Sequence, residues 1–413
     1  MSLQPRSPLD GQWIEERLKA LATFTDEPGQ MTRLTLSPAH RAAVDELTRW
    51  FGEAGLTTRL DAMGTLIGRY EGQAAGARRL LIGSHIDTVK NAGIYDGNLG
   101  VILGLALIAH LNAKGRRLPF AIELVAFGDE EGVRFPTAMT GSRALAGRFD
   151  PACLDERDAS GVSRRSALAE FGAAGATARA SEAGAVIGYV EAHIEQGPVL
   201  EAAQLALGIV TGISGASRGE IRVEGVCGHA GTLPMAMRRD ALAGAAQMIL
   251  AIEARANAEP GLVATVGRID VANGAVNVVP GACRFSLDLR APDDALRLSA
   301  LDDIKAEIAR IAARRELKAV IDIAYDAPAA PCDPKLCEAL AQAMRRCGHA
   351  DFRLPSGAGH DAMSFRGVLP MAMLFVRCRN GISHNPAEYA APADMGAAAH
   401  VLLEFIDALT DQA

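Results

Sequence analysis

Two hydrophobic rhythms alternate along the chain. In residues 12–56 apolar side chains recur at three- and four-residue spacing, in IEERLKALATF and again in AAVDELTRWFGEAG. This predicts two amphipathic helices, the second ending at glycine. RRLLIGSHID is then an unbroken apolar run that closes in polar residues, the pattern of a buried strand leading into a loop. GVILGLALIAHLNAKG predicts a helix with Asp96 or Asn98 as its cap, and FAIELVAFGDEEG a second buried strand ending in acids. The Ala-rich stretch 141–184 reads as helix and loop, and VIGYVEAHIEQG adds a strand carrying His193.

Strand, helix and strand in that order imply a parallel pair joined by a right-handed crossover. The polar clusters then fall at the carboxyl ends of neighbouring strands, where open α/β sheets build their sites.

Residues 215–330 change rhythm: EIRVEGV (strand), DALAGAAQMILAIEARA (helix), LVATVGRIDV and ACRFSLDLRA (strands), ALRLSALDDIKAEIARIAARRE (helix), KAVIDIAYDA (strand). This is the β-α-β-β-α-β order of a ferredoxin-like unit. The Pro-rich DAPAAPCDP marks the return, followed by the helix PKLCEALAQAMRRCG, the strand GVLPMAMLFVRC and the closing helix APADMGAAAHVLLEFIDALTDQ. The expected architecture is an α/β, mixed-sheet domain made of residues 1–214 and 331–413, interrupted by an α+β domain over 215–330.

The length of 413 residues agrees, being too great for one ordinary core. With 49% apolar and 22% charged residues the composition is globular. A net charge of -7 argues against a nucleic-acid binder, which needs a basic surface to displace counterions. The N-terminus lacks a basic region followed by an apolar one, and no apolar run approaches the roughly 20 residues that span a bilayer, so a soluble, cytoplasmic protein is expected. The seven cysteines (153, 227, 283, 332, 337, 347 and 378) are scattered without a C-x-x-C pair, which fits reduced thiols.

Candidate chemistry lies in a set of residues. His40, His110, His349 and His400 read singly as structural. His85, Asp96, Glu131, His193 and His384 each stand in a loop-like context beside an apolar strand, and Glu130 accompanies Glu131. Imidazole and carboxylate without thiolate suit Zn²⁺, Mn²⁺ or Co²⁺, and two-metal hydrolases share one carboxylate between ions about 3.5 to 4 Å apart. Unrelated helix caps and surface acids are the competing explanation.

GSHIDTV, YDGNLGV, DEEGVRF, HIEQGPVLE, GHAGTLPM, NVVPG, SGAGHDA and GISHNPAEY, in that order between about residues 30 and 410, resemble the dinuclear-metal amidohydrolase family. That family contains allantoate amidohydrolases, N-carbamoyl-L-amino-acid hydrolases and yeast-type β-ureidopropionases, and is similar to zinc-dependent aminopeptidases and carboxypeptidases. The resemblance implies a metallohydrolase catalytic domain whose ferredoxin-like insert serves as lid and dimerisation domain in a homodimer through 215–330. It implies two divalent ions, Zn²⁺ or Mn²⁺ with Co²⁺ also suitable. Asp96 would bridge them, His85 and His193 would complete one, and Glu131 and His384 the other. Asp87 would accept a hydrogen bond from the His85 ring.

Glu130, beside a ligand without being one, would shuttle the proton. His229, from the partner subunit, would polarise the scissile carbonyl. Asn277 and Arg290 resemble the family's carboxylate clamp, with Arg218 beside them. Gln196 and the SGAGHDA segment, with Gly357, Ala358 and His360, would line the ureido pocket.

The reaction so implied is hydrolysis of a ureido C–N bond in a small ureido acid. DTVKNAGIYDGNLG, DEEGVRF and MLFVRCRNGISHNPAEY look closest to allantoate amidohydrolases, which yield ureidoglycine, ammonia and CO₂ in purine nitrogen recycling. Arg377, Cys378 and Arg379 lie in the last of these runs, where an extra cationic or hydrogen-bonding group is expected to suit a second ureido arm, with Arg377 as the residue to test. Ala216 departs from the Gln of many relatives. An N-carbamoyl-L-amino-acid hydrolase is the alternative. A non-catalytic ureido-acid binder is disfavoured, because all five ligands and Glu130 are present.

Overall fold

The apolar runs that end in polar residues lie side by side in one sheet. The computed structural model describes residues 6–173 and 186–410. In it four strands, Ala121–Phe127, Arg79–His85, Val186–Ile194 and Met371–Val376, are adjacent in that order and parallel. Leu66–Tyr70 pairs antiparallel with Ala121–Phe127, and Leu207–Ile213 antiparallel with Met371–Val376, so the sheet is mixed. Every residue of Arg79–His85, Ala121–Phe127 and Met371–Val376 is buried, which is why these strands read as continuous apolar runs and not as alternations.

The crossover from Arg79–His85 to Ala121–Phe127 is the helix Asn98–Ala113, buried on most of its circumference against the sheet and against the helices Gly11–Leu21 and Pro392–Thr410. Its expected side-chain cap is absent. Gly97 occupies the N-cap at φ 65°, and neither Asp96 nor Asn98 caps the helix. The Asp96 carboxylate faces histidines, and the Asn98 side chain bonds Arg33 and the Asp96 carbonyl. The opening helices are Gly11–Leu21, capped by Asp10, and Pro38–Glu53, capped by Ser37, with Gly55 at φ 82° just past the second. In the Ala-rich stretch, Thr140–Leu145 and Arg164–Phe171 are helical, and 174–184 lies outside the described residues.

The chain divides into two compact units, one of residues 1–211, 332–354 and 360–413, the other of 212–331 and 355–359. The short segment 355–359, expected in the first, clusters with the second, where the Ser214 N–H donates to the Ser356 carbonyl at 2.9 Å.

In the second unit the elements run strand Gly215–Glu224, helix Ala241–Asn257, strands Val263–Thr265 and Ile269–Val271, strand Ala282–Ala291, helix Asp294–Arg314 and strand Lys318–Ala327. Ala282–Ala291 and Gly215–Glu224 are the antiparallel centre, with Lys318–Ala327 at one edge. LVATVGRIDV, expected as one strand, is broken in two. At the break the N–H groups of Gly267 and Arg268 both donate to the Ser286 hydroxyl, so the ladder is interrupted by a side chain. Ile221, Val223, Phe285, Leu287 and Leu289 pack against Ala245, Met248, Ile304 and Ile308 of the helices. The alternate residues, Arg218, Glu220 and Arg222 and, across from them, Asp288, Ser286 and Arg284, fall on the opposite face by the two-residue period.

Candidate metal centre

The carboxyl ends of the four parallel strands carry the candidate ligands. His85 is the last residue of its strand and His193 the last but one of the next. Glu130 and Glu131 follow Ala121–Phe127 by three and four residues, and His384 stands in the loop after Met371–Val376. The predicted five come together around Asp96. Its Oδ1 lies 3.1 Å from His193 Nε2 and 3.7 Å from His85 Nε2, and its Oδ2 lies 3.2 Å from His384 Nε2, which is 3.6 Å from Glu131 Oε2. Donor atoms about 2.0 to 2.2 Å from a shared tetrahedral ion stand about 3.3 to 3.6 Å apart, so the set has the spacing of two sites that share Asp96. The donors of His85, Asp96 and His193 form one group within 4.8 Å of one another, and those of Asp96, Glu131 and His384 form a second.

Main-chain partners orient the rings. The His193 Nδ1–H donates to the Ile194 carbonyl at 2.8 Å, while Nε2 accepts from the Gly97 N–H at 3.2 Å, so Nε2 carries the lone pair. His85 Nδ1 is 3.0 Å from the Asp87 carbonyl, which likewise leaves its Nε2 for a metal. Gly97 is required here: a Cβ on it would stand 2.4 to 2.5 Å from three atoms of the His85 ring.

The role expected of Asp87 changes. Its carboxylate is 3.5 Å from the His85 ring, too long for a hydrogen bond, and it is the Asp87 main chain that meets the ring. The two carboxylate oxygens instead accept the N–H groups of Glu130 and Glu131, each at 3.1 Å.

Charge in the cluster is unbalanced toward carboxylates. Burial, reinforced by Glu131 and Asp361 and opposed by His85, raises Glu130 well above the usual carboxylate range. Burial and the neighbouring Asp96 push Glu131 to about 7. Asp96, despite burial, is held well below its ordinary value by its contacts with His193 and His384. Glu131 Oε1 and Gln196 Oε1 are buried without a hydrogen-bond partner. Hard and borderline cations satisfy such an oxygen-rich, imidazole-bearing set, and the residues present fit a divalent metal pair.

Several contributors escaped the sequence reading. The Glu388 Oε1 accepts the N–H groups of Tyr95 and Asp96, at 2.9 and 3.0 Å, and so sets the loop from which Asp96 projects. Ser383 Oγ sits 2.9 Å from Asp96 Oδ2 and 3.0 Å from Glu388 Oε2. Their signal was position within GISHNPAEY, immediately before and four residues after His384. Glu191 accepts from Ser84 Oγ and the Ala362 N–H beneath the cluster. Gln196, which the sequence did single out, donates to Asp96 Oδ2 at 2.9 Å. Gln196 and His384 both adopt left-handed backbone, φ 57° and 54°, the strain that functional positions often carry.

The other predicted residues divide among distinct places. His360 is buried edge-on against the candidate ligand His193, ring centroids 4.5 Å apart, and against Phe375, and forms a further group of possible metal donors with Glu191 and His193. In the second unit Arg218, Arg290 and Gly357 line one cavity of about 660 Å³. Ala358 lies beside it in a turn closed by its N–H to Ser356 Oγ. Asn277 is not a lining residue of that cavity. It stands with the exposed His229 on a separate two-stranded ribbon, where the Ala230 N–H donates to the Asn277 carbonyl. Arg377 makes a bidentate pair with Asp394 at 3.0 and 3.1 Å through its guanidinium.

Comparison with known proteins follows the same residues. The pattern of peptidase family M20/M25/M40 matches residues 81–408, a span holding all five candidate ligands. The chain belongs to this family. It is 39% identical to an allantoate deiminase of Arabidopsis thaliana, over 95% of this chain and 81% of that one. It is equally 39% identical to an N-carbamoyl-L-amino acid amidohydrolase of Geobacillus stearothermophilus, over 95% of this chain and 97% of that one. A solved amidase of the hydantoinase/carbamoylase family from Burkholderia multivorans superposes with a TM-score of 0.92 at 36% identity, covering 97% of this chain and 98% of the other. This M20 chain is therefore a hydrolase of the amidohydrolase kind. No described helix is long and apolar enough to cross a membrane.

Proposed function

We propose that the protein hydrolyses a ureido C–N bond of a small ureido carboxylate, with allantoate as substrate and ureidoglycine, ammonia and CO₂ as products. The observation that carries the reading is Asp96 facing three imidazoles and a glutamate at ligand spacing, with Glu130 beside them. His85, Asp96 and His193 hold one divalent ion, and Asp96, Glu131 and His384 the second. Zn²⁺, Mn²⁺ and Co²⁺ all suit these donors. When bound, such ions supply Lewis acidity and activate water at neutral pH.

The residues do the rest. Glu130, its main chain pinned by Asp87, takes a proton from the attacking water on its carboxylate and returns it to the departing nitrogen. The carbamic acid released breaks down to CO₂ and ammonia. Gln196, tied to Asp96, faces the ureido group. Arg218 and Arg290 take the substrate carboxylate. His229 stabilises the developing oxyanion and Asn277 accompanies it on the same ribbon, both supplied by a second copy of the chain in a homodimer through 215–330. The exposed Met235, Met237 and Val276 near that ribbon support a partner surface. The ferredoxin-like insert is the lid. Seven free cysteines support a reducing compartment, and we place the enzyme in the cytoplasm, in purine nitrogen recycling.

One observation favours a second reading. With Arg377 paired to Asp394, one of the groups assigned to a second ureido arm is already engaged, and a single-armed N-carbamoyl-L-amino acid is the competing substrate. Ammonia release by the Mn²⁺-loaded protein, given allantoate and N-carbamoyl-L-amino acids in parallel with Glu130→Gln as blank, separates them. Faster turnover of allantoate supports the first reading, faster turnover of a carbamoyl amino acid puts the second in its place, and no turnover of either defeats both.

A further inference from the structure

Across the open face of the second sheet, Arg218 and Asp288 are direct partners on antiparallel strands, and Arg290 follows Asp288 by two residues on the same face. Asp288 Oδ1 accepts from Arg290 Nε at 2.8 Å. Its Oδ2 accepts from Arg290 Nη2 at 2.8 Å and from Arg218 Nε at 3.0 Å. One carboxylate thus ties down both guanidinium groups of the cavity.

We propose that Asp288 is a positioning residue that yokes Arg218 and Arg290 into one fork for a single substrate carboxylate. The inference rests on the reading of these arginines as the carboxylate site. A guanidinium held by its Nε edge cannot swing about its long stem, so the ordering that a ligand would otherwise impose is already in place. The remaining contacts act the same way: Arg290 Nη1 donates to the Gly357 carbonyl, and the Arg218 guanidinium stacks over Tyr325 at 5.1 Å from the ring centroid. The terminal N–H groups of Arg218 have no described partner and are left for a ligand. Charge is matched as well as geometry, because two guanidinium groups and one carboxylate leave a single net positive charge. Burial alone would raise the Asp288 carboxyl, but the bond to Arg290 and the charges of Arg290 and Arg218 hold it below its ordinary value, so the yoke stays ionised. The pairs are partly exposed and contribute little to stability, which leaves orientation as their consequence.

The test compares Asp288→Asn with the unaltered enzyme on allantoate, N-carbamoyl-L-alanine and N-carbamoyl-L-alaninamide, with melting temperature as the check on folding. Asn keeps one acceptor oxygen and loses the second and the charge. The expected result is a rise in KM for the acids of about tenfold, the scale of one charge-assisted hydrogen bond, with kcat within about twofold, KM for the amide unchanged, and partial recovery in Asp288→Glu. An unchanged or lowered KM for the acids, or an equal rise for the amide, overturns the yoke. Arg290→Lys is measured alongside: if it raises KM while Asp288→Asn does not, only the yoke fails, and if it leaves KM unchanged, the carboxylate site fails with it.

Discussion

The main-chain N–H of Glu130 donates to the carboxylate of Asp87 at 3.1 Å, and the next N–H along, that of Glu131, donates to the other oxygen of the same carboxylate. One aspartate therefore aligns a candidate proton carrier and a candidate ligand through their backbone. Removing it leaves two part-buried N–H groups without their acceptor. Asp87→Ala is expected to lower kcat roughly ten- to hundredfold, with weaker metal binding, the range typical of groups that orient ligands. Steady-state kinetics together with metal analysis of the dialysed protein checks it.

Glu130 is expected to matter for the reaction and not for metal occupancy. Glu130→Gln preserves shape and removes proton transfer, so turnover should fall by about two to four orders of magnitude while metal content stays equal to that of the unaltered protein. Metal loss in this variant would reassign Glu130 as a ligand.

Asp96 and His384 should differ in stoichiometry. Among the described residues Asp96 contributes to two of the four donor groups and His384 to one. Asp96→Ala should therefore lose both ions and His384→Ala one, read by elemental analysis after gel filtration. Equal losses would mean that Asp96 does not bridge.

Gly97→Ala is a small change with a large expected effect. The new methyl group would meet the His85 ring at 2.4 to 2.5 Å, and φ 65° is unfavourable for alanine. Metal affinity should drop by at least about tenfold while the fold survives, since the group displaced is the single side chain of His85. Titration of the metal-free variant with Mn²⁺ measures it.

His40 gives the protein a defined acid sensitivity. It is wholly buried, stacks on Phe171 at 4.8 Å and accepts the Leu36 N–H on Nδ1. Burial lowers its pKa from 6.5 to about 3. The folded state therefore keeps the ring neutral while the unfolded chain takes up a proton below pH 6.5. The contribution to stability is constant above pH 6.5 and is lost as pH falls toward 3. Between pH 7.5 and 5.5 this single residue should cost about 1.4 kcal/mol. The urea midpoint of the unaltered protein should fall more over this interval than that of His40→Gln.

Much of this was legible because it rests on local pattern. The continuous apolar runs ending in His85 and in Glu130–Glu131 predicted buried parallel strands, and the strands are parallel and buried. The candidate ligands were readable because most lie at or just past the carboxyl ends of the parallel strands, which adjacent pairing brings together. Of the two roles the sequence offered Asp96, the helix cap is not formed, and its carboxylate faces the histidines instead. The pairing of Arg377 with Asp394, seventeen residues on, carries no local sign in the sequence.

By itself the sequence determined which residues offer metal-binding chemistry and where the main apolar strands and the principal helices of the second unit run, because these follow from residue chemistry and from hydrophobic period. Tertiary structure alone decided that the Asp87 carboxylate serves backbone amides and not a ring, that Glu388 and Ser383 hold Asp96, and that Asp288 joins two arginines. Each of these is a hydrogen bond between groups distant in sequence, whose formation depends on positions within a few tenths of an ångström that no periodicity encodes.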